Sequence, residues 1–353
     1  MNLAVCYLLE TTELSGGVRV VFDQARSLIE RGHHVSIRAL RGSHAWYPYP
    51  VNVDYVNDLS QKKPHEHFDV AIGTFWTTLD AARTLDTHVA IHLCQGCEWM
   101  FPEFSASHQA IEKVYRYPVA KMTVSDWLVE AIQKHIGSDL FSIVNVGQSV
   151  DTELYRPRGF LDKIRRARVK RIPVILVSGL YQSWVKGIAT ALDAVTILRR
   201  DGMKLNLIRV SNMPVSDVEH RHTLIDHYYE SVTPKEMSDI YKNADICLSP
   251  SRSPEGFGLP FAEALSCGIP TVASSIPSYL SFDTRHDYAC FVKEGDSRAM
   301  ANGIKKVLED NPLAKRLKKR GRDVARSQFN RQDVAERIEK FLFHQLDSQR
   351  KEP

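Results

Sequence analysis

The chain has no long apolar segment, and its first residues are not expected to act as a leader. No apolar run approaches the roughly 20 residues that a membrane-spanning helix needs. Residues 1–9 carry no basic leader and reach Glu10 too early for a secretory signal, so they are expected to form a first buried strand. The 43% apolar and 25% charged residues are typical of a soluble globular protein. A cytoplasmic location is expected.

Cysteine is scarce, and the acidic motif of many metal-dependent transferases is missing. Six cysteines without a secretion signal argue against a disulfide framework. Cys94 and Cys97 form one C-x-x-C pair, but no second pair completes a zinc set. Reduced thiols are the favoured interpretation, with a redox role as the alternative. The chain has no D-x-D sequence, so we expect no catalytic divalent metal and no other cofactor.

The net charge is only +4, but the basic residues are concentrated in two runs, residues 156–171 and residues 315–326. Neither run has interleaved aromatic residues, so nucleic acid is not an expected partner. Solvated faces explain most such runs. The sharper alternative is attraction to an acidic acceptor or peripheral contact with the anionic inner face of a membrane.

A strand, a glycine loop, a helix and a second strand open the chain and predict a βαβ unit. The loop contains Gly16 and Gly17, and the helix is expected at residues 18–31. The pattern starts again at residues 172–179, an apolar run typical of a strand buried on both faces. At 353 residues the chain suits two α/β domains, which we place at residues 1–157 and 158–330 with the basic stretch 156–171 as linker.

The most informative segment is residues 249–272, which reads as strand, loop, helix and strand. Gly256 and Gly258 let the backbone approach a ligand closely. Their amides, with that of Phe257, open a helix whose amino end favours an anion. Glu255 precedes the helix and Glu263 lies within it, so carboxylates for hydroxyl groups stand beside amides for phosphate oxygens.

This segment resembles the E-x7-E signature of the family 4 retaining glycosyltransferases, with Glu255 and Glu263 at the two acidic positions. The resemblance covers most of the chain. It implies the GT-B fold, in which two Rossmann-like domains face a central cleft and a final helix, here residues 331–353, returns to the first domain. It also implies that Glu255 holds the transferred sugar and Glu263 the nucleotide ribose. Lys186 resembles the lysine that contacts the diphosphate, and Gly16 and Gly17 resemble the first domain's phosphate-facing glycine loop.

The chain also departs from the family pattern at positions outside residues 249–272. Leu180 stands where an arginine is usual, so either Arg19, Arg209 or Arg252 supplies the missing charge or phosphate binding is weaker. The histidine of the first domain is ambiguous, because His92 lies within a strand and Gln95 lies at its end. Both are kept as catalytic candidates, and the Q-G-x-E pattern at residues 95–98 favours Gln95 and Glu98 as cleft residues. A loop at residues 229–233 is expected to meet the base of the donor, through Thr233 among others.

These residues predict a glycosyltransferase of hexosyltransferase type that moves a sugar from a nucleoside diphosphate sugar to a hydroxyl on a carbohydrate or lipid-linked acceptor. No side chain stands out as a covalent nucleophile, which suits front-face retention of configuration. Aromatic residues at 43–50 are expected either to stack on the acceptor or to pack plainly on the surface. The alternatives are a non-catalytic nucleotide-sugar-binding partner and an epimerase of the same fold.

Overall fold

The computed structural model describes residues 2–137, 141–159 and 172–349. The chain divides into two compact units, one formed by Met1–Ser149 with Arg331–Pro353 and the other by Val150–Asn330. The expected boundary after Pro157 therefore falls inside the second unit. The reason is local, because Ser238 Oγ donates to Leu154 O and Ser266 Oγ donates to Tyr155 O, both at 2.6 Å. Most of the expected linker, residues 160–171, lies outside the described residues.

The first unit is built on a sheet of seven parallel strands in the order β3-β2-β1-β4-β5-β6-β7. The strands are β1 Ala4–Thr11, β2 His34–Arg41, β3 Asn52–Tyr55, β4 Phe68–Gly73, β5 Thr87–Cys94, β6 Ala120–Thr123 and β7 Ile143–Asn145. The helices are α1 Gly16–Glu30, α2 Leu79–Thr84, α3 His108–Tyr115 and α4 Asp126–Ile136. A long final helix, which belongs to the same unit, is numbered α12 below.

The second unit is built on six parallel strands in the order β10-β9-β8-β11-β12-β13. The strands are β8 Val174–Ser178, β9 Asn206–Ser211, β10 His227–Glu230, β11 Ile246–Ser249, β12 Thr271–Ser274 and β13 Cys290–Val292. The helices are α5 Ile188–Arg200, α6 Asp217–His222, α7 Pro234–Asn243, α8 Leu259–Ser266, α9 Pro277–Leu280, α10 Ser297–Glu309 and α11 Asn311–Gln328, and α12 spans Arg331–Gln349.

The expected α/β class is confirmed, and the buried strands explain why it could be expected. The middle of β8 and all of β11 and β12 are buried, as strands covered on both faces by helices must be. Ile175 on β8, Leu192 on α5 and Ile304 on α10 belong to one core cluster and are fully buried. Within the described ranges, no helix is long and apolar enough to cross a bilayer.

Three short strands have no counterpart in the sequence pattern, and the first helix starts earlier than expected. The missed strands, β3, β10 and β13, are only three or four residues long and only partly buried. The helix α1 begins at Gly16 rather than residue 18, because Ser15 caps it by accepting a hydrogen bond from Val18 N at 3.3 Å. Gly16 and Gly17 therefore form the first helical turn and not a free loop.

Candidate active site

The loop between β11 and α8 is held in shape by one glycine. Gly258 precedes α8 with φ 85°, in the left-handed region that favours glycine. A Cβ at this position would lie 2.3 Å from Tyr279 Cε1. The Tyr279 ring is itself fixed, because its hydroxyl donates to Ser251 Oγ at 2.8 Å. Neither Tyr279 nor Ser251 carried a sequence signal for this role.

Lys186 and Glu255 form an ion pair beside this loop. Lys186 Nζ donates to Glu255 Oε1 at 2.9 Å and to Oε2 at 2.8 Å. The Glu255 side chain is 9% exposed and that of Lys186 is 35% exposed, so the carboxylate is enclosed while water still reaches the ammonium. The two residues stand 69 positions apart in sequence, and the structure brings together the two groups that were assigned to the sugar and to the diphosphate.

The backbone around this pair is locked by close contacts. Lys186 ends a 3₁₀ turn, Trp184–Lys186, that leads into α5 through Gly187. Gly187 has φ 59°, and a Cβ there would lie 2.1 Å from the carbonyl oxygen of Pro250. The amide of Arg252 also donates to Val185 O at 2.7 Å. Only glycine at position 187 lets the two segments meet at this distance.

Glu263 lies inside the second unit and not on its surface. Its side chain sits on α8 and is 2% exposed. It accepts a hydrogen bond from the hydroxyl of Tyr241 on α7 at 3.0 Å, and the same hydroxyl also donates to Pro260 O at 2.9 Å. Desolvation by burial and, second, the Glu263 charge raise the pKa of Tyr241 well above its usual value. The hydroxyl therefore stays protonated and remains a donor to the carboxylate.

Gly256 and Phe257 are buried positions of the loop ahead of α8. Gly256 is buried, and Phe257 is 7% exposed. The Phe257 ring packs against Phe282 and Phe329, with centroid distances of 5.1 and 5.2 Å. The aromatic side chain is thus a core element, and only the main chain of this residue is suited to a ligand.

Thr233 has a structural task besides the contact with the donor base that is expected of it. It is the N-cap of α7 in a reciprocal capping box, in which its hydroxyl accepts from Glu236 N at 3.3 Å and Glu236 Oε2 accepts from Thr233 N at 2.7 Å. The first two residues of the expected loop, 229 and 230, belong to strand β10. The hydrogen bonds of Thr233 are therefore explained by helix capping without a donor base.

Three arginines were candidates for the charge missing at Leu180. Arg209 is fully buried and is bound by Glu219 Oε1 at 2.6 Å, Val177 O at 2.9 Å and Gly179 O at 3.0 Å, so it holds strand ends together instead.

The other two arginines lie in different units. Arg19, in the first unit, pairs with Asp23 at 3.7 Å. Arg252, in the second, has its guanidinium carbon 4.8 Å from the Trp184 ring centroid, on the same segment as Glu255. Of the three, Arg252 is the one that stands beside the Lys186 turn.

In the first unit the structure separates the two candidates at the end of β5. His92 is 1% exposed and stacks edge-on against Tyr115 at 5.0 Å. Burial, followed by the nearby charge of Lys121, lowers the pKa of His92 to about 3, so the ring is neutral. His92 is therefore a neutral, buried residue in this structure, and its catalytic role stays a prediction. Gln95 is half-buried, and its Oε1 lies 3.4 Å from where a Cβ on Gly17 would stand.

Glu98 and the two nearby cysteines are also interior groups. Glu98 is 5% exposed and accepts a hydrogen bond from the Tyr115 hydroxyl. Burial raises the pKa of Glu98 to about 7, although the Tyr115 hydrogen bond lowers it. Its expected place in a cleft is wrong, since the carboxyl points into the packed region of Tyr115. Cys94 and Cys97 are buried free thiols whose pKa values are raised by desolvation, so they are poor nucleophiles.

The aromatic segment at residues 43–50 packs on α1. Trp46 and Tyr47 lie 5.2 and 5.0 Å from the ring of Phe22, and Trp46 Nε1 donates to Thr12 O at 2.8 Å. Arg26 covers the ring of Tyr49 at 3.2 Å. Of the two expectations for this segment, plain packing is the one that these contacts support.

The chain is similar in sequence to known glycosyltransferases. Residues 162–324 match the family model described as "Glycosyl transferases group 1", and this segment lies within the second unit. Phosphatidyl-myo-inositol mannosyltransferase of Mycobacterium leprae (strain TN) is 25% identical over 216 residues, which are 59% of this chain and 54% of that protein. The chain spans about half the length of the curated relatives it matches.

Solved structures match over nearly the whole chain. HepE of Anabaena, in complex with UDP-glucose, has a TM-score of 0.79 at 14% identity, with 97% of this chain and 100% of that chain covered. Sucrose-phosphate synthase from Thermosynechococcus elongatus has a TM-score of 0.77 at 17% identity, with 98% and 99% covered. The chain therefore has the two-domain α/β fold of the GT-B glycosyltransferases, and its second unit carries the segment that matches the group 1 glycosyl transferases.

Proposed function

We propose that this protein is a family 4 retaining glycosyltransferase that moves a sugar from a nucleoside diphosphate sugar to a hydroxyl acceptor. The observation that carries the proposal is the contact of Lys186 Nζ with both carboxylate oxygens of Glu255, directly ahead of α8. Within one small region, the start of α8 and the ammonium of Lys186 suit the diphosphate of such a donor, and the carboxylate of Glu255 suits its sugar hydroxyls. The similar structure of HepE was solved with UDP-glucose.

Each group has a chemical task in this proposal. The carboxylate of Glu255 accepts hydrogen bonds from sugar hydroxyls and orients the anomeric carbon. The ammonium of Lys186 and the amides of Gly256 and Phe257 stabilise the charge that grows on the departing diphosphate, together with the positive end of α8. Glu263 receives the ribose hydroxyls. The ion pair in the donor-free protein keeps Lys186 and Glu255 in place until the donor enters.

The direct test is donor turnover by a Glu255→Gln variant. A panel of nucleoside diphosphate sugars is screened by thermal shift, and nucleoside diphosphate release is then measured with the donor that raises the melting temperature. Loss of the carboxylate that orients the sugar is expected to lower kcat by about 100-fold. Glu336→Gln removes an exposed ion pair with Lys340 in the first unit and serves as the matched control. Equal rates in both variants would contradict the proposal.

A second candidate is a non-catalytic nucleotide-sugar-binding partner. It is favoured by Leu180, which leaves the end of β8 without the usual cation, and by the commitment of Arg209 to Glu219. Saturable donor binding without turnover, across a panel of carbohydrate and lipid-linked acceptors, would select this function. An epimerase of the same fold would instead convert the donor sugar without releasing the nucleotide.

We further propose a cytoplasmic role in cell-surface glycan or glycolipid synthesis, with peripheral membrane contact through the basic run on α11. A groove in the second unit is lined by cationic side chains from this helix and its surroundings, which include Arg158, Lys315, Lys319, Arg322 and Arg326. Each lysine or arginine near an anionic surface contributes about 1 kcal/mol of attraction. Sedimentation with anionic and neutral vesicles tests the idea, because a basic face must favour the anionic ones and lose that preference at high salt.

A further inference from the structure

Three metal-ligating side chains meet at the amino ends of β4 and β5. His67 directly precedes β4, Asp69 is its second residue, and His88 is the second residue of β5. Because Phe68 pairs with Thr87 and Val70 with Val89, the register puts Asp69 beside His88 on one face of the sheet. Gln95 and the first turn of α1 follow the opposite, carboxyl ends of the strands, so this cluster is separate from the candidate active site.

The distances within the cluster fit a bound ion. His67 Nε2 lies 3.1 Å from His88 Nε2, and one ligand atom from each of His67, Asp69 and His88 lies within 4.8 Å of the others. Two imidazole nitrogens on a tetrahedral zinc, at bonds of about 2.05 Å, stand about 3.3 Å apart. The two histidines therefore need almost no rearrangement, while the carboxylate has to move inward. His67 and His88 are exposed and Asp69 is partly exposed, which gives an ion access from solvent.

The surroundings orient the ligands. His67 Nδ1 lies 3.3 Å from Asp86 Oδ1, the carboxylate–histidine arrangement that points the other ring nitrogen at a metal. With its proton on Nδ1, His67 presents a lone pair at Nε2, so His88 Nε2 must donate in the metal-free contact. Asp69 is positioned by the amide of Ala4, which donates to Asp69 Oδ2 at 2.7 Å.

We propose that His67, Asp69 and His88 form a binding site for a divalent transition metal of the zinc class, with Asp86 as its outer partner. Two imidazoles and one carboxylate suit this class better than calcium or magnesium, which prefer oxygen ligands. On binding, the proton on His88 Nε2 moves to Nδ1 and the metal takes its place between the two rings. The ion links the starts of two central strands, so its effect is on the stability of the first unit and not on sugar transfer.

The test uses the full chain after removal of metal with a chelator, titrated with zinc chloride in a calorimeter. One saturable zinc site per chain is expected, with affinity lowered about tenfold or more by His88→Ala and by Asp69→Asn, and by about 10- to 100-fold by Asp86→Asn. His220→Ala, which removes an exposed histidine from the second unit, is the matched control and keeps the wild-type affinity. Zinc is also expected to raise the melting temperature of the wild type more than that of His88→Ala.

Two results would overturn the assignment. One is the absence of saturable binding at one ion per chain, which would leave the 3.1 Å contact as a hydrogen bond between two histidines. The other is equal zinc affinity in wild type and His88→Ala with loss in Cys94→Ser, which would place the ion on the thiols. Circular dichroism of each variant separates a lost ligand from a lost fold.

Discussion

A single methyl group at position 187 should separate the two charged groups of the candidate site. Gly187 joins the turn that carries Lys186 to α5, with φ 59° and ψ 21°. In Gly187→Ala the new Cβ would begin 2.1 Å from the carbonyl oxygen of Pro250, which lies on the loop that leads to Glu255. That oxygen belongs to the main chain and cannot rotate away, so one of the two segments must move.

The size of the effect follows from the geometry. Restoring an ordinary contact requires a backbone shift of about 1 Å, and a misplacement of this size costs roughly 100-fold in rate. Alanine in the left-handed region costs about 1–2 kcal/mol, and overpacking adds about 1–3 kcal/mol. Gly202→Ala is the matched control, because Gly202 has φ 85° with no atom within 4 Å of its Cβ position. It has the conformational cost alone and should keep full transfer activity.

Urea unfolding of both variants measures the stability difference, and donor-dependent thermal shift with nucleoside diphosphate release measures the site. Gly187→Ala is expected to unfold more easily than Gly202→Ala and to lose about 100-fold in turnover. Equal stability and equal turnover in the two variants would refute the packing argument. Lower stability with unchanged turnover would uphold the clash but separate it from the placement of Lys186.

Three further predictions concern buried groups. Burial raises the pKa of Glu98 from 4.5 to about 7, so the folded protein tolerates the protonated carboxyl better than the charged one. The free energy of unfolding is therefore expected to fall as the pH rises from about 4.5 to about 7, by up to about 1.4 kcal/mol per pH unit. Glu98→Gln should lack that slope in urea unfolding at pH 5, 6 and 7. Arg209→Met leaves the Glu219 carboxylate, which is 1% exposed, without its partner. The free energy of unfolding should fall by about 3–5 kcal/mol. A loss below about 1 kcal/mol in chemical denaturation would contradict a buried ion pair. Tyr241→Phe removes the hydroxyl that donates to Glu263 and should cost about 1–3 kcal/mol; its donor-dependent thermal shift should shrink if Glu263 meets the ribose.

The order of strands and helices could be predicted because parallel strands that are buried on both faces consist of continuous apolar residues. The apolar run at residues 172–179 contains β8, and the helix expected at residues 18–31 is α1, which spans Gly16–Glu30. The three missed strands are short and only partly buried, so hydrophobic pattern has little to report there. The structure starts the second unit at Val150, before the expected boundary after Pro157. Hydrogen bonds to the carbonyl oxygens of Leu154 and Tyr155 hold that segment to the second unit, and the local sequence pattern does not indicate such long-range bonds.

What the sequence by itself determined is the chemistry of the loop at residues 255–258, because glycines ahead of a helix and a carboxylate at fixed spacing are local features. The partner of that loop was decided by tertiary structure alone, since Lys186 reaches Glu255 only where Gly187 meets the Pro250 carbonyl. Tertiary structure also decided which of the polar residues are buried. Burial makes His92 a neutral residue of the interior, although a histidine in this strand is also compatible with a catalytic role. The sequence gives the chemistry of each side chain. The exposure of a side chain and its distance from residues remote in sequence are set only when the helices pack on the sheets.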